Sequence, residues 1–399
     1  MPDIHSSGIV ANSQDSTCDV DVAIVGGGFG GTSTAILLAR QGMRVALVDI
    51  HAVYPPDFRA EKIAGDQIEL LRKNNLLETV VGKATPVGSI LNTRSGRIVD
   101  EREVEEYGIF YDAMIGSLRA ALPESVKFMV GRVSELETGS ERQRVILSDG
   151  RQINARLIVL ATGHGDGMRR KLGIERRVVR EAHSLAFGFT IQAAKDEPFG
   201  FSGVSAYGEK PGNKVDYLSV FPIGNIMRAN LFAYRDIRDA WVAELRNNPR
   251  EAIYSVLPGA QRFLGNFEVI SKIDQRVNTL MVSENYLRDG VVLIGDAFRT
   301  SCPAVGTGLS RLLTDIDRLC NVYMPEWFAT GEVHAAKIAE YYADEEKRAC
   351  DERAAHAAEY RRSSTIGESL RWEVHRRQHY LRRQMRNWVR QLAPRSRAA

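Results

Sequence analysis

The sequence predicts an α/β chain: a Rossmann-like βαβ unit, then a β-rich segment with antiparallel character, then a helical C-terminal region. Three observations carry this. An unbroken apolar run (VDVAIV, residues 20–25) leads into a glycine-rich turn and a helical pattern, and a second such run (MRVALVDI) follows. Unbroken β-branched runs mark strands buried on both faces, as in a parallel sheet. Residues 183–235 alternate apolar and polar side chains between Gly, Pro and Asn turns, the pattern of an antiparallel sheet. From residue 333 onward the periodicity is helical and the composition charged.

Taken in order, residues 1–18 are polar and lack a basic stretch followed by an apolar core. They read as a frayed tail, not a signal peptide. GGGFGG (26–31) and TSTAILLARQG come next, with apolar residues at helical spacing and Gly42 as the stop signal. The pattern over 62–80 is helical, and so is that over 109–122. Short strands follow: VKFMV, RVSELE, and the RQRVILSDGRQI hairpin turning at Asp149-Gly150. RLIVLATGH is another buried strand ending on a glycine turn. Helix returns at 238–257. GVVLIG (290–295) is a third buried strand, running through a Gly/Pro-rich loop into a helix.

A chain of 399 residues, 44% hydrophobic and 26% charged, is long enough for two or three domains with a substantial core. A net charge of +3 gives no argument for nucleic-acid binding. The four cysteines, Cys18, Cys302, Cys320 and Cys350, are too scattered for a zinc site or a disulfide framework. They suit a reducing compartment, and the expected location is cytoplasmic. No run of 18 apolar residues predicts a membrane-spanning helix. No H-E-x-x-H or Ser-His-Asp pattern is present, and no metal is expected.

The turn Gly26, Gly27, Gly28, Phe29, Gly30, Gly31 reads as G-x-G-x-x-G. Gly26 lets the chain turn sharply off the strand, Gly28 lets a pyrophosphate approach the backbone, and Gly31 lets helix and strand close up. The pyrophosphate then faces the helix N-terminus, where free N–H groups favour negative charge. Asp49, about 20 residues further on at the end of the second strand, accepts hydrogen bonds from ribose hydroxyls. With strand, helix, strand and acid in register, the turn predicts a dinucleotide.

Far downstream, Gly295-Asp296-Ala297 and then Pro303, Gly306, Thr307, Gly308 and Leu309 follow a buried strand. This resembles the second FAD motif of the FAD-dependent monooxygenases with the para-hydroxybenzoate hydroxylase fold. The resemblance spans about residues 19–330. It implies a glutathione-reductase-type FAD domain, non-covalent FAD, and an Asp296 that bonds the ribityl chain. It also implies a helix after Gly306 whose N-terminus faces the flavin. Phe298 stands where the family often has His. DFRAEKI (57–63) resembles the family stretch that lays an Arg, here Arg59, over the cofactor; the alternative is a solvated loop Arg. Thr162-Gly163 replaces the Asp-Gly of the hydroxylases and resembles the Ala-Thr-Gly of other FAD enzymes. That departure weakens the usual mode of NADPH binding. Asp166-Gly167 reads as loop.

The implied organisation is an FAD-binding domain from 19–182 and 276–332, a substrate-binding sheet domain at 183–275, and a helical region at 333–399. The implied activity is monooxygenation of a small aromatic or unsaturated substrate through a flavin C4a-hydroperoxide, with NAD(P)H as electron donor. An FAD-dependent reductase or dehydrogenase on the same fold is the alternative. A flavin halogenase is disfavoured by the absence of W-x-W-x-I-P. No catalytic residue stands out: His164 and His183 read as structural or exposed, and Tyr217, Tyr234 and Arg228 as packing. Residues 361–399 carry eleven Arg against Glu368 and Glu373. Leu370, Val374, Leu381, Met385, Trp388 and Leu392 fall on one helical face, with Arg371, Arg376, Arg382, Arg383 and Arg390 largely off it. Such an arm packs on its own protein or a dimer mate, or lies on an anionic membrane.

Overall fold

Val22–Val25, buried at every position, lies at the centre of a five-stranded parallel sheet. The order is Val291–Leu293, Leu157–Leu160, Val22–Val25, Val45–Asp49, Lys127–Val130. The computed structural model describes residues 17–194 and 198–392. The helix Phe29–Arg40 makes the crossover between the first two strands in sequence, and its residues from Phe29 to Leu38 are all buried. Burial on both faces is why these strands are unbroken Val, Ile and Leu.

The second layer is an eight-stranded sheet. Its middle strands, Glu175–Ala193, Ile226–Ala233, Val215–Ile223 and Gly203–Tyr207, pair antiparallel. Strand alternation divides their side chains between two faces. Leu185, Phe187, Leu218, Val220, Ala229 and Leu231 enter a core shared with the helices Ala240–Asn247 and Pro249–Val256. Ala186, Tyr217, Ser219, Phe221, Asn230 and Phe232, from the other face, line a cleft against the parallel sheet.

Several sequence expectations are corrected. The large sheet is not confined to 183–275. The hairpin Ser89–Arg94/Arg97–Glu103 joins its edge through a parallel pairing with Gly203–Tyr207, and Asp274–Glu284 runs along most of Glu175–Ala193. Within 62–80, Lys62–Ala64 is a strand paired with Glu106–Gly108, because Ile63 is needed in the core. Gly65 (φ 59) then turns the chain into the helix Asp66–Lys73, which Asn75 (φ 52) separates from Leu77–Val81. Thr17–Asp19 is not part of a tail but pairs in parallel with Gln152–Ala155; residues 1–16 lie outside the described residues.

Three helices end the described chain: Ala335–Ala343, Glu345–Ile366 and Leu370–Leu392. The Asp344 side chain caps the second by accepting the Lys347 N–H at 2.8 Å. Arg361 on that helix reaches Asp216 of the large sheet at 2.8 Å. No helix among the described residues is long and apolar enough to cross a membrane. In the last helix, Trp388, Arg390 and Leu392 have side chains outside the described residues.

Candidate active site

A continuous cleft of about 730 Å³ runs between the parallel sheet and the large sheet. One end is the glycine turn. Gly26 holds φ 106, and a Cβ there would lie 2.5 Å from Ala161 O. A Cβ on Gly31 would collide with Gly26 O, so only glycine lets the helix meet the strand here. Gly27 lies behind the cleft and donates to Asp49 Oδ2 at 2.6 Å; His51 N–H donates to Asp49 Oδ1 at 2.8 Å. Arg119, on the helix Tyr111–Ala120, donates to Gly27 O at 2.7 Å and to His51 O at 2.7 Å, and lies 3.3 Å from Asp49. Arg119 carries no local mark of this role, because it reaches the turn only through the fold.

The middle of the cleft is a cluster of charge. Arg59 Nε lies 2.6 Å from Asp57, and its Nη1 is 3.7 Å from Asp296. His164 Nε2 is 3.3 Å from the same Asp296 oxygen. Burial raises the Asp296 pKa, but His164 and Arg59 outweigh it and hold the carboxyl below its ordinary value. Arg176 donates to Gly163 O at 3.0 Å and Asp296 O at 2.6 Å, tying the two loops together. Thr162 Oγ1 donates to Gly165 O at 3.3 Å. Asp166 precedes the short helix Gly167–Lys171, and its side chain pairs with Arg169, Arg170 and Arg176. His164 lines the cleft with its side chain 47% exposed, in keeping with its reading as exposed.

The far end is the helix Thr307–Arg318. Gly306 (φ 69) turns the chain into it, and Gln67 donates to Gly306 O at 2.7 Å. Gly295 (φ 58) donates its N–H to Asp315 at 2.8 Å. Asp315 in turn holds Lys347 at 2.5 Å, and Lys347 and Arg311 share Asp351 at 3.4 and 2.6 Å. This buried network fixes the loop from behind. Thr307 Oγ1 is buried with no hydrogen-bond partner, at a helix N-terminus that favours an electron-rich group.

The chamber beside this helix is walled by Phe58, Tyr217, Phe221 and Phe232, with Tyr217 and Phe232 rings 4.9 Å apart. Tyr217 O–H donates to Ala304 O at 3.0 Å, and burial pushes its pKa up, so it stays a neutral phenol. Glu61, 3% exposed, forms the polar floor. Arg228 donates to it at 2.8 Å, and the Asn230 amide nitrogen, turned toward it, donates at 2.9 Å. Burial raises the Glu61 pKa in spite of Arg228. Arg228 also holds Asp274 at 3.1 Å, beneath the chamber. Tyr234 and His183 lie elsewhere. Tyr234 donates to Asp216 at 3.2 Å, and His183 is fully buried edge-on against its ring.

Gly26, Gly28, Phe29, Gly30, Asp49, Arg59, Thr162, Gly163, Gly295, Asp296, Pro303, Gly306, Gly308 and Leu309 thus line one cleft, with Gly27, Gly31 and Thr307 in its immediate backing. The glycine turn that admits no Cβ at Gly26 or Gly31, the orphaned Thr307 hydroxyl and the cleft's volume of about 730 Å³ fit an FAD. Among the described residues no group of three His, Cys, Asp or Glu could hold a metal.

Residues 19–323 match the family model described as FAD binding domain. The ubiquinone hydroxylase UbiL of Rhodospirillum rubrum is 26% identical over 334 residues, covering 78% of this chain and 73% of that protein. Mouse (Mus musculus) squalene monooxygenase is 26% identical over 321 residues, covering 75% of this chain but 54% of that protein. Among solved structures, the p-nitrophenol 4-monooxygenase PnpA of Pseudomonas putida DLL-E4 has the same fold, with a TM-score of 0.74 at 17% identity, covering 92% of this chain and 94% of that one.

Proposed function

This chain belongs to the FAD-binding-domain family of class A flavoprotein monooxygenases, and from that premise we propose that it inserts one atom of O₂ into a small aromatic or unsaturated substrate, with electrons from NAD(P)H. The observation that carries the proposal is the single cleft joining the glycine turn to the aromatic chamber. FAD, when bound, supplies two-electron chemistry and the activation of O₂. The protein's residues do the rest.

In this reading the Gly26–Gly31 turn and Asp49 hold the adenosine end of FAD. Arg59, Thr162, Gly163 and Asp296 hold its middle, and Pro303 with Gly306–Leu309 meets its ring. The N-terminus of Thr307–Arg318 stabilises negative charge at the ring edge. The Phe58, Tyr217, Phe221 and Phe232 rings exclude water from the chamber and present apolar faces to the substrate. Tyr217 moves no proton, since its hydroxyl is engaged by Ala304 O. Glu61 and Asn230 are the polar groups that orient a substrate donor or acceptor.

The test is turnover under ¹⁸O₂ with NAD(P)H and a panel of phenols, quinones and polyenes, with mass spectrometry of product. One labelled oxygen per product molecule is the expected result. Thr162-Gly163, in place of Asp-Gly, sustains the reductase or dehydrogenase reading. Substrate-dependent flavin reduction or oxidation with unlabelled product would move the assignment there.

A further inference from the structure

We propose that the helix Leu370–Leu392 docks this protein on an anionic lipid surface through an apolar stripe that faces away from the body. Surface helices of globular proteins turn their apolar stripe inward and their charge outward. This helix does the reverse. Arg383 reaches inward to Asp100 at 2.8 Å and lies over the Tyr207 ring at 5.5 Å. Arg376 donates inward to Ser364 O at 3.0 Å and Gly367 O at 2.7 Å. Trp372 sits 6.0 Å from the Tyr360 ring. These side chains fall on one side of the helical wheel. The other side carries Leu370, Val374, Leu381 and Met385, which are 75%, 43%, 56% and 66% exposed.

The reversal has a local cause. The edge strand Arg97–Glu103 offers Asp100 and the nearby strand Gly203–Tyr207 offers Tyr207; both take arginines and leave the leucines facing outward. The stripe therefore has no partner among the described residues, and a contiguous exposed apolar face marks an interaction surface.

Charge decides between occupants. Arg371 is exposed at the stripe's margin, and Arg377, 77% exposed, flanks the other side. The acid beside the stripe, Glu373, is already engaged with Arg377 at 2.6 Å. Residues 361–399 hold eleven Arg against two acids. A second copy of this helix would set arginine against arginine, whereas an anionic bilayer complements both the apolar stripe and its basic margins. None of the helix's described residues lines the cleft, so docking is separate from the proposed reaction.

The experiment is flotation of the holoenzyme with phosphatidylcholine vesicles, with and without phosphatidylglycerol. Sedimentation velocity of the free protein and the FAD-to-protein ratio are measured alongside. The holoenzyme is expected to float with the phosphatidylglycerol vesicles and not with phosphatidylcholine alone. Leu381→Glu/Met385→Glu is expected to lower the bound fraction by about tenfold or more with the FAD ratio unchanged. Arg371→Gln should lower it by about fivefold, the effect of roughly one charge near an anionic surface. Flotation that survives Leu381→Glu/Met385→Glu overturns the proposal, as does equal binding to both vesicle types. A dimer that needs the stripe, with no vesicle binding, would assign the face to a second copy instead.

Discussion

Replacing Lys347 with Met should destabilise the protein more than most single changes, because Lys347 is one of two cations balancing two carboxylates in a closed interior. The Lys347, Asp315 and Arg311 side chains are 1%, 1% and 2% exposed, and Asp351 completes the set at 10%. Without Lys347, Arg311 faces both acids alone, and Asp315 keeps only the Gly295 N–H as a partner. Removing one partner of a buried pair costs about 3–5 kcal/mol, since the remaining charge stays desolvated. At about 2 °C per kcal/mol for a large chain, the melting temperature should fall by about 6–10 °C. Melting is followed in parallel by circular dichroism and by the release of flavin fluorescence. Flavin release, seen as a rise in emission, should come before or together with loss of the fold, since the network secures the Gly295 loop. Lys347→Met/Asp315→Asn restores charge balance and leaves an amide oxygen for Gly295 N–H, so it should recover at least half of the loss. A Lys347→Met protein that melts within about 2 °C of the parent, or a double variant that simply adds a second loss, would refute the reasoning.

Asp296→Ala should weaken FAD binding by about tenfold to a hundredfold, the effect of removing a charged acceptor, measured by fluorescence titration of the apoprotein. Because His164 and Arg59 hold its pKa below 3.8, the Asp296 contribution persists at neutral pH and is lost only as pH falls through that lowered value. Glu61→Gln should leave the FAD ratio unchanged while lowering kcat/KM by about tenfold, since Glu61 faces the chamber and not the glycine turn; steady-state kinetics beside the flavin absorbance would check this. Burial lowers the His183 pKa from 6.5 to about 4, with Arg362 and Arg180 adding to the effect. The unfolded chain then takes up a proton that the folded one refuses, so His183 contributes stability above pH 6.5 that declines as pH falls toward 4, by up to about 3 kcal/mol. His183→Phe should flatten that part of the stability curve in urea titrations; an unchanged pH dependence would count against it.

The parallel sheet was legible because its signals are local: burial on both faces writes itself into consecutive residues such as Val22–Val25 and Leu157–Leu160, and the turn at Gly26–Gly31 has one steric solution. The hairpin Ser89–Glu103 is not legible in the sequence although it turns on Ser95-Gly96. Its pairing with Gly203–Tyr207 is non-local and parallel, and neither strand alternates cleanly. Arg119, Arg176 and Glu61 were illegible for a different reason. Each acts through a group brought near only by the fold, and an Arg or Glu on a helix or strand carries no local mark of it. His164 carries no local mark either, because its partner, Asp296, lies on another strand's loop. For Leu370–Leu392 the periodicity located the stripe, but which side meets the body depends on Asp100 and Tyr207, which periodicity cannot see.

The two halves of the cleft obey different tolerances. At two positions of the glycine turn an added atom meets backbone: a Cβ at Gly26 meets Ala161 O, and one at Gly31 meets Gly26 O. Those positions admit glycine alone, so this half is fixed by sterics irrespective of substrate. The chamber is made from alternate residues of strands whose other face is committed to the core. Tyr217, Ser219 and Phe221 can change while Leu218 and Val220 keep the packing, because neighbouring residues point to opposite faces. A single Gly188, under Phe58 and Arg228, already shows the cost of close fit on the cleft face, since a Cβ there would meet the Arg228 guanidinium at 2.6 Å. Relatives at 26% identity can therefore share the nucleotide half while their names point to substrates as unlike as ubiquinone and squalene. Substrate choice in this chain should be sought in the side chains at 217, 219, 221, 230 and 232 and not in the glycine turn.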